Sequence, residues 1–499
     1  MGERYMSRLA FQPEFRPVLP TVFGVKDYQV FRSTIEQIDD YIVKTGVENR
    51  LLAEYMEQTY KGENLSAKRR TSLARNAQRA LRYGILRAIT GDSFRDLAIR
   101  VTDSDLFRWF TYTIQVDGVR PLSKSTVERM EKMFTYEQIT SLIHNANRVL
   151  ANKQAAQEIL HRESELNFKR VFADSTCVKA NIHFPVDWVL LRDGVRTLIK
   201  AIVLIRRHGL KHRISDPAEF MREMNKLCIE MTHTRKKTNA KTSRKMILRR
   251  MKKLTAVINK HGWNYHNLLK EDWNKTDWSE AEAAYVLKRM KNVLDQLPAA
   301  IEQAHERIIG ERRVANKDKI LSLYDENVHV LIRGKSGAEV EFGNGLYLAE
   351  QEDGLIIDWE FLKDQPPSDS KLLGNSINRL TVEYGKPESY TGDRGFDSAA
   401  NRDTLDELDI FNAVCPRSVP QLKEKLQDAE FCLLQKRRGG TEARIGIFKN
   451  AYLGNPLKSK GFKNRNTRIH WCVLAHNLWK IGSMMVMALE EEKLKRKTA

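Results

Sequence analysis

The sequence predicts a multidomain fold with three parts: an all-α N-terminal region, an α/β region built on a mixed sheet flanked by helices, and a helical insertion that interrupts the α/β region. Three observations predict it. Helical periodicity fills nearly every window from Val25 to His161, and again from Asp216 to Tyr324. Between and after those stretches lie short apolar runs punctuated by glycines, the pattern of strands and tight turns. With 499 residues, 41% of them hydrophobic and 30% charged, the chain can bury a sizeable core and is not disordered as a whole.

Residues 1–22, with Pro13, Pro17 and Pro20, read as an irregular arm ahead of a helical region over 23–164. Ile35, Ile38, Tyr41 and Ile42 form one apolar stripe; Leu81, Ile85 and Ile89 form another, on a helix crowded with Lys68, Arg69, Arg70, Arg75, Arg79, Arg82 and Arg87. Ser93 and Ser123 stand where N-caps are needed. A helical bundle with a helix-turn-helix-like element follows, serving equally as a plain scaffold or as a reader of DNA ends.

The α/β region is expected over 165–215 and 325–499. Lys169 to Asp174 is a short apolar run ending on a carboxylate, as a buried strand delivering an acid to a sheet edge would. Residues 187–208 return to helical period. The insertion, 216–324, carries two apolar seams, Ile247-Met251-Leu254-Ile258 and Leu287 to Ile308 across Pro298. They predict a long helical hairpin, joined by the Trp-containing stretch 262–279 and kinked near Pro298. Four short strands are then expected: His329–Arg333, Ala338–Phe342, Leu346–Ala349 and Leu355–Trp359, split by Gly334, Gly337, Gly343, Gly345 and Gly354. A helix (Ser368–Tyr384), a strand tip ending on Asp393, a helix, a strand (Ile410–Val414), a helix and a long last helix (Arg465–Leu494) complete the order.

Lys+Arg 84 against Asp+Glu 64 gives +20, which predicts a polyanionic partner, nucleic acid or an anionic membrane. The apolar stretch Ile469–Leu489 contains Asn477, Lys480 and two histidines and reads as a buried helix, so no membrane is expected. The five cysteines lie far apart, without a CxxC pair, which fits a reducing compartment and excludes a disulfide framework or zinc cluster. The N-terminal residues do not show the basic-then-apolar pattern of a signal segment, and a cytoplasmic location is expected.

Asp174 and Asp393 fall at strand ends, and Glu442 lies in Arg438-Gly-Gly-Thr-Glu-Ala-Arg-Ile-Gly-Ile-Phe-Lys449. On a helix Glu442 and Lys449, seven apart, share a face; whether that helix begins before Arg438 or only at Thr441 is left open by Gly439-Gly440. Clustered carboxylates are the hard oxygen ligands that Mg²⁺ takes together with substrate phosphate. Two neighbouring acids compete, Asp187 and Asp397; they read as caps of helices beginning at Trp188 and near Ala399.

Three blocks carry a family resemblance: Phe172-Ala-Asp174-Ser-Thr-Cys-Val-Lys; Thr391-Gly-Asp393-Arg-Gly-Phe396; and Arg438-x3-Glu442-x6-Lys449 followed by Trp471-Cys-Val-Leu-Ala-His-Asn-Leu478. In these the chain resembles prokaryotic insertion-sequence transposases of the DDE class, departing where the fullest pattern has a tyrosine three residues before the arginine; Gln435 stands there. The resemblance implies a ribonuclease-H-like catalytic domain that cleaves the ends of a mobile element and transfers the 3′-OH into target DNA. It implies Asp174, Asp393 and Glu442 as catalytic residues and ligands of two Mg²⁺, with Mn²⁺ as substitute, and Arg438, Lys449 and Arg394 as phosphate contacts. Partners would be the element's terminal inverted repeats and target DNA, bound by a homodimer or larger assembly in the nucleoid. The rival readings are a structure-selective endonuclease of the same fold and a non-catalytic DNA-binding protein descended from a transposase.

Two basic clusters are the expected DNA path. One, without any acid, holds Arg235, Lys236, Lys237, Lys241, Arg244, Lys245, Arg249 and Arg250, continuing to Lys252 and Lys253. The other is Lys458, Lys460, Lys463, Arg465 and Arg468. Trp263, Trp273 and Trp278 are placed at the hairpin tip, packing between its helices, and Cys177 is read as a buried structural thiol.

Overall fold

The structure, a computed structural model, describes residues 18–114, 119–234, 238–325, 327–335 and 338–498. Of the N-terminal arm, 1–17 lie outside the described residues, and 18–25 are irregular. Eight helices follow: α1 (Lys26–Thr45), α2 (Val47–Thr59), α3 (Ala67–Thr90), α4 (Phe94–Asp103), α5 (Asp105–Phe110), α6 (Lys124–Glu131), α7 (Tyr136–Val149) and α8 (Lys153–Leu160). Ser93 and Ser123 cap as their spacing requires, accepting from the backbone N–H of Asp96 and Thr126. The predicted stripes on α1 and α3 are buried, except that Ile89 at the end of α3 is only partly so. The cations of α3 do not form one free face: Arg82 is fully buried between Asp39 and Glu48, and Arg87 pairs with Glu131.

The sheet has six strands: β1 (Arg170–Lys179), β2 (His329–Lys335), β3 (Ala338–Glu350), β4 (Ile356–Phe361), β5 (Ser389–Gly392) and β6 (Phe411–Val414). Its order is β2-β3-β1-β5-β6, with β4 also paired to β3. β1 runs antiparallel to β3 and parallel to β5, so the sheet is mixed, as expected. Where four short strands were expected there are three, because Gly343 and Gly345 lie inside β3 instead of ending it. A Cβ on Gly343 would stand 2.0 Å from the Val178 carbonyl oxygen; this glycine lets two backbones approach rather than turning the chain.

Helices α13 (Leu373–Tyr384), α14 (Ala399–Glu407), α15 (Val419–Lys425), α16 (Ala429–Ile447) and α17 (Phe462–Thr498) complete the α/β part. α17 begins three residues before its expected start at Arg465 and packs on α1, α3, α7 and the sheet, so the N-terminal helices and the sheet share one continuous apolar core. It is also long and apolar enough to cross a membrane by length and composition, yet 61% of its apolar window is buried inside the protein. Gly84 of α3 lies directly under the Trp471 ring, where an added Cβ would come within 2.4 Å.

The insertion differs from its expected outline. α9 (Asp187–Arg207) packs with α10 (Pro217–His233), α11 (Ala240–Asp272) and α12 (Glu280–Ala304) around a second, separate core. α9, expected with the sheet, belongs to this bundle instead: its apolar face is visible in sequence, but the identity of the surface it meets is not. α11 is continuous through Trp263, so only Trp273 and Trp278 sit at the turn, and all three pack on this bundle. α12 runs on past Pro298, which cannot donate to the Leu294 carbonyl, and gives way to a π turn only at His305–Ile309.

Candidate active site

β1 does not end at Asp174. It pairs with β5 only through Phe172↔Thr391, then continues along β3 to Lys179. Asp174 therefore sits just past the point where β5 leaves β1, and Asp393 is the first residue after β5. Phe172, Asp174 and Thr176 alternate onto one face of the sheet. α16 covers that face: Phe431 and Leu434 pack with Phe172 and Ala413, and the Arg437 guanidinium lies 4.4 Å from the centre of the Phe172 ring. α16 is unbroken across Gly439-Gly440, so Arg438 is on the helix, one turn before Glu442.

The Asp174 carboxyl is pushed up to about 6, first by burial and then by the charge of Asp393; Glu442 also raises it, while the Ser175 N–H and Arg438 lower it. Asp393, Glu442 and Arg438 thus all lie within electrostatic reach of Asp174. The Ser175 N–H donates to Asp174 Oδ1 at 2.7 Å and the Gly395 N–H to Asp393 Oδ1 at 2.8 Å. Arg438 Nη1 stands 3.4 Å from Glu442 Oε1, and the Glu442 side chain is 63% exposed.

The donor chemistry suits a divalent cation: two neighbouring aspartates repel unless a proton or a cation intervenes, and both offer hard oxygens. Among the described residues, however, no three His, Cys, Asp or Glu side chains stand close enough to hold a metal ion. Glu442, paired with Arg438, is the most exposed of the three candidate acids.

Beyond Ile447 the helix changes to a π turn, Phe448–Leu453, so Lys449 is not on a regular continuation of the Glu442 face. Its Nζ reaches Thr176 Oγ1 at 3.1 Å, beside Asp174 on β1. Arg394 is exposed at the site's rim, and its carbonyl accepts from Arg417 Nε at 2.9 Å. Gln435 donates to the carbonyls of Gly392 (3.1 Å) and Ala413 (2.6 Å), tying α16 to the tips of β5 and β6.

Neither competing acid is a helix cap. The buried Asp187 carboxylate accepts from Gln303 and Arg307, both at 2.9 Å, and Asp397 is held by Arg402 and the Arg417 N–H, while Ser398 caps α14. Two residues of the site carried no local signal in sequence. Asp369 lies beside the Asp393 loop: a Cβ on Gly395 would come within 2.6 Å of Asp369 Oδ2 and 2.9 Å of Asp393 Oδ1. Glu350, at the end of β3, binds the underside of α16.

The basic clusters fare unevenly. Arg235, Lys236 and Lys237 lie outside the described residues. Lys241 and Lys245 pair with Glu311, Arg250 with Glu223 and Glu230, and Arg244 donates to Thr234, while Arg249 is exposed. The one-sign run in sequence is therefore partly neutralised by acids from other segments. Lys458, Lys460 and Lys463 are exposed, the last two lining a groove of about 700 Å³ that also contains Glu128, Glu131 and Glu137. Arg465 and Arg468 do not line a DNA path: both are buried, Arg465 against Asp325 and Asn344, Arg468 against the Tyr452 carbonyl. Cys177 is buried. An apolar groove of about 420 Å³ between α9 and α12 contains none of the three acids.

No protein-family model, curated protein or solved structure matches this chain.

Proposed function

We propose that this protein is a DNA transposase of the DDE class, whose α/β part is a ribonuclease-H-like domain that cleaves element ends and joins the freed 3′-OH to target DNA. What supports this reading is the placement of Asp174 and Asp393 beside each other where the β1–β5 pairing ends, with Glu442 of α16 adding its charge to that of Asp393 in raising the Asp174 carboxyl. A mixed sheet, antiparallel on one side of β1 and parallel on the other, supports the fold assignment.

Two Mg²⁺, or Mn²⁺ in their place, held by Asp174, Asp393 and Glu442 would supply Lewis-acid activation of the attacking and leaving oxygens. The chain's own contribution is placement. Lys449, fixed at Thr176, presents an ammonium beside Asp174 where a phosphate must lie. Arg438 offers a second cation and, by pairing with Glu442, holds that carboxylate outside the ligand set until DNA phosphate competes for the guanidinium. Arg394 adds charge at the rim. Element ends and target would be held by a homodimer or larger assembly acting on DNA of the nucleoid.

The test is a Mg²⁺ assay with oligonucleotides copied from the DNA flanking the reading frame. The wild type should nick these ends and join them to target, and Asp393→Asn should abolish both. Cutting without joining, and without preference for those ends, would favour the structure-selective endonuclease; binding without cleavage would favour the non-catalytic descendant.

A further inference from the structure

Glu442 can serve the site only if α16 keeps one rotational setting, and the helix is poorly equipped to keep it alone. It contains Gly439, Gly440 and Gly446, each costing about 1 kcal/mol of helix propensity relative to alanine. Its setting must come from tertiary anchors.

The strongest anchor lies on the stripe next to the functional one. Arg437, Thr441 and Arg444 recur at i, i+4 and i+7, one residue out of phase with Arg438 and Glu442. All three converge on Glu350, a buried carboxylate at the end of β3. Thr441 Oγ1 donates to it at 2.6 Å, Arg437 Nη1 at 2.9 Å, and Arg444 at 2.7 Å from both Nε and Nη2. Burial opposes ionisation of Glu350, but Arg444, Thr441 and Arg437 outweigh it and keep the carboxyl below its ordinary range. Arg437 also grips the carbonyls of Gln351 (2.8 Å) and Glu352 (2.7 Å). Glu350 itself is paired in register with Phe172, two residues before Asp174.

We propose that Glu350 is the positioning residue of this site: through Arg437, Thr441 and Arg444 it fixes the roll of α16 on the sheet, so that Arg438 and Glu442 face Asp174. It touches no reacting atom. The inference rests on the transposase reading for its catalytic consequence, but not for the clamp.

The test compares full-length wild type with Glu350→Gln, which keeps the shape and removes the charge. A second variant, Arg444→Met, breaks the clamp while leaving Glu350 paired to Arg437 and Thr441, should Glu350→Gln fail to fold. Three quantities are read: amide hydrogen exchange across 438–447, affinity for end DNA, and the Mg²⁺ dependence of cleavage. We expect about tenfold faster exchange confined to α16, DNA affinity within about twofold, and a 10- to 100-fold loss of cleavage, about the size seen when a ligand's supporting partner is removed. Part of that loss should return at high Mg²⁺, which a merely destabilised protein would not show. Unchanged exchange in α16 would overturn the clamp. Faster exchange with an unchanged Mg²⁺ midpoint and rate would overturn the positioning role. A wild type that cuts no DNA in Mg²⁺ or Mn²⁺ would instead sink the transposase reading, and the exchange data alone would decide the clamp.

Discussion

Lys449 Nζ lies 3.1 Å from Thr176 Oγ1, a bond that joins residues 273 apart in sequence and places a cation on the face of β1 that carries Asp174. The π turn after Ile447 makes the contact, since it changes the direction of residues following the α-helix. Lys449→Gln should reduce end cleavage about 10- to 100-fold, the scale of one charge-assisted contact to a reacting phosphate, without shifting thermal stability much. Thr176→Val should reduce it less, because Lys449 keeps its charge and loses one contact. Single-turnover cleavage with saturating DNA measures both.

Asp174 gives a pH signature. Its folded-state carboxyl is raised to about 6, so between roughly pH 4 and pH 6 the folded protein holds a proton that the unfolded chain has lost. Stability from this group is therefore present below about pH 4, declines as pH rises through 6, and is flat above. Asp174→Asn should be more stable than wild type at pH 7 to 8, by about 2–3 kcal/mol at most, and no more stable at pH 4. Thermal denaturation across that range in the absence of divalent ions checks the sign; an equal gain at both pH values would refute it.

Gly395 is held to hydrogen by its neighbours. A methyl group there would meet the carboxylates of Asp369 and Asp393 at under 3 Å. Gly395→Ala should displace the Asp393 side chain and cut cleavage at least about tenfold, as misplacement of a positioned group does, while leaving the melting midpoint within a few degrees. A fully active alanine variant would show that the Asp393 loop tolerates the shift.

The insertion's cations should not contribute equally to DNA binding. Arg249→Ala is expected to lower the slope of log affinity against log salt by about 1, the size of one phosphate contact. Arg250→Ala, which removes a cation already shared by Glu223 and Glu230, should change it less. Salt-titrated binding to end DNA distinguishes them; identical slopes for both variants and the wild type would remove this face from the DNA path.

Gly84→Ala tests the docking of the N-terminal helices on α17. The added carbon would stand 2.4 to 2.8 Å from three atoms of the buried Trp471 ring. A loss of about 1–3 kcal/mol is expected from overpacking, read as a lowered denaturation midpoint.

Periodicity revealed the apolar stripes of α1 and α3, the caps at Ser93 and Ser123 and the acid-bearing strands, because each depends on residues within a few turns of one another. It could not tell that β1 runs on past Asp174, since the partner that prolongs it, β3, is more than 150 residues away. Nor could it distinguish a cap from a buried ion pair at Asp187, whose partner is Arg307, or a DNA-facing cation from a structural one at Arg465, whose partner is Asp325.

The chain by itself determined the kinds of element, their order, and which acids stand in motif-like blocks, because hydrogen bonding within helices and alternation within strands are written locally. Only tertiary structure decided that α9 belongs to the inserted bundle, that Glu311 neutralises two lysines of the basic run, and that Glu350 sets the roll of α16. Those outcomes depend on which distant charge or apolar face reaches a given side chain first, and Coulomb attraction and burial act through space without regard to separation along the chain.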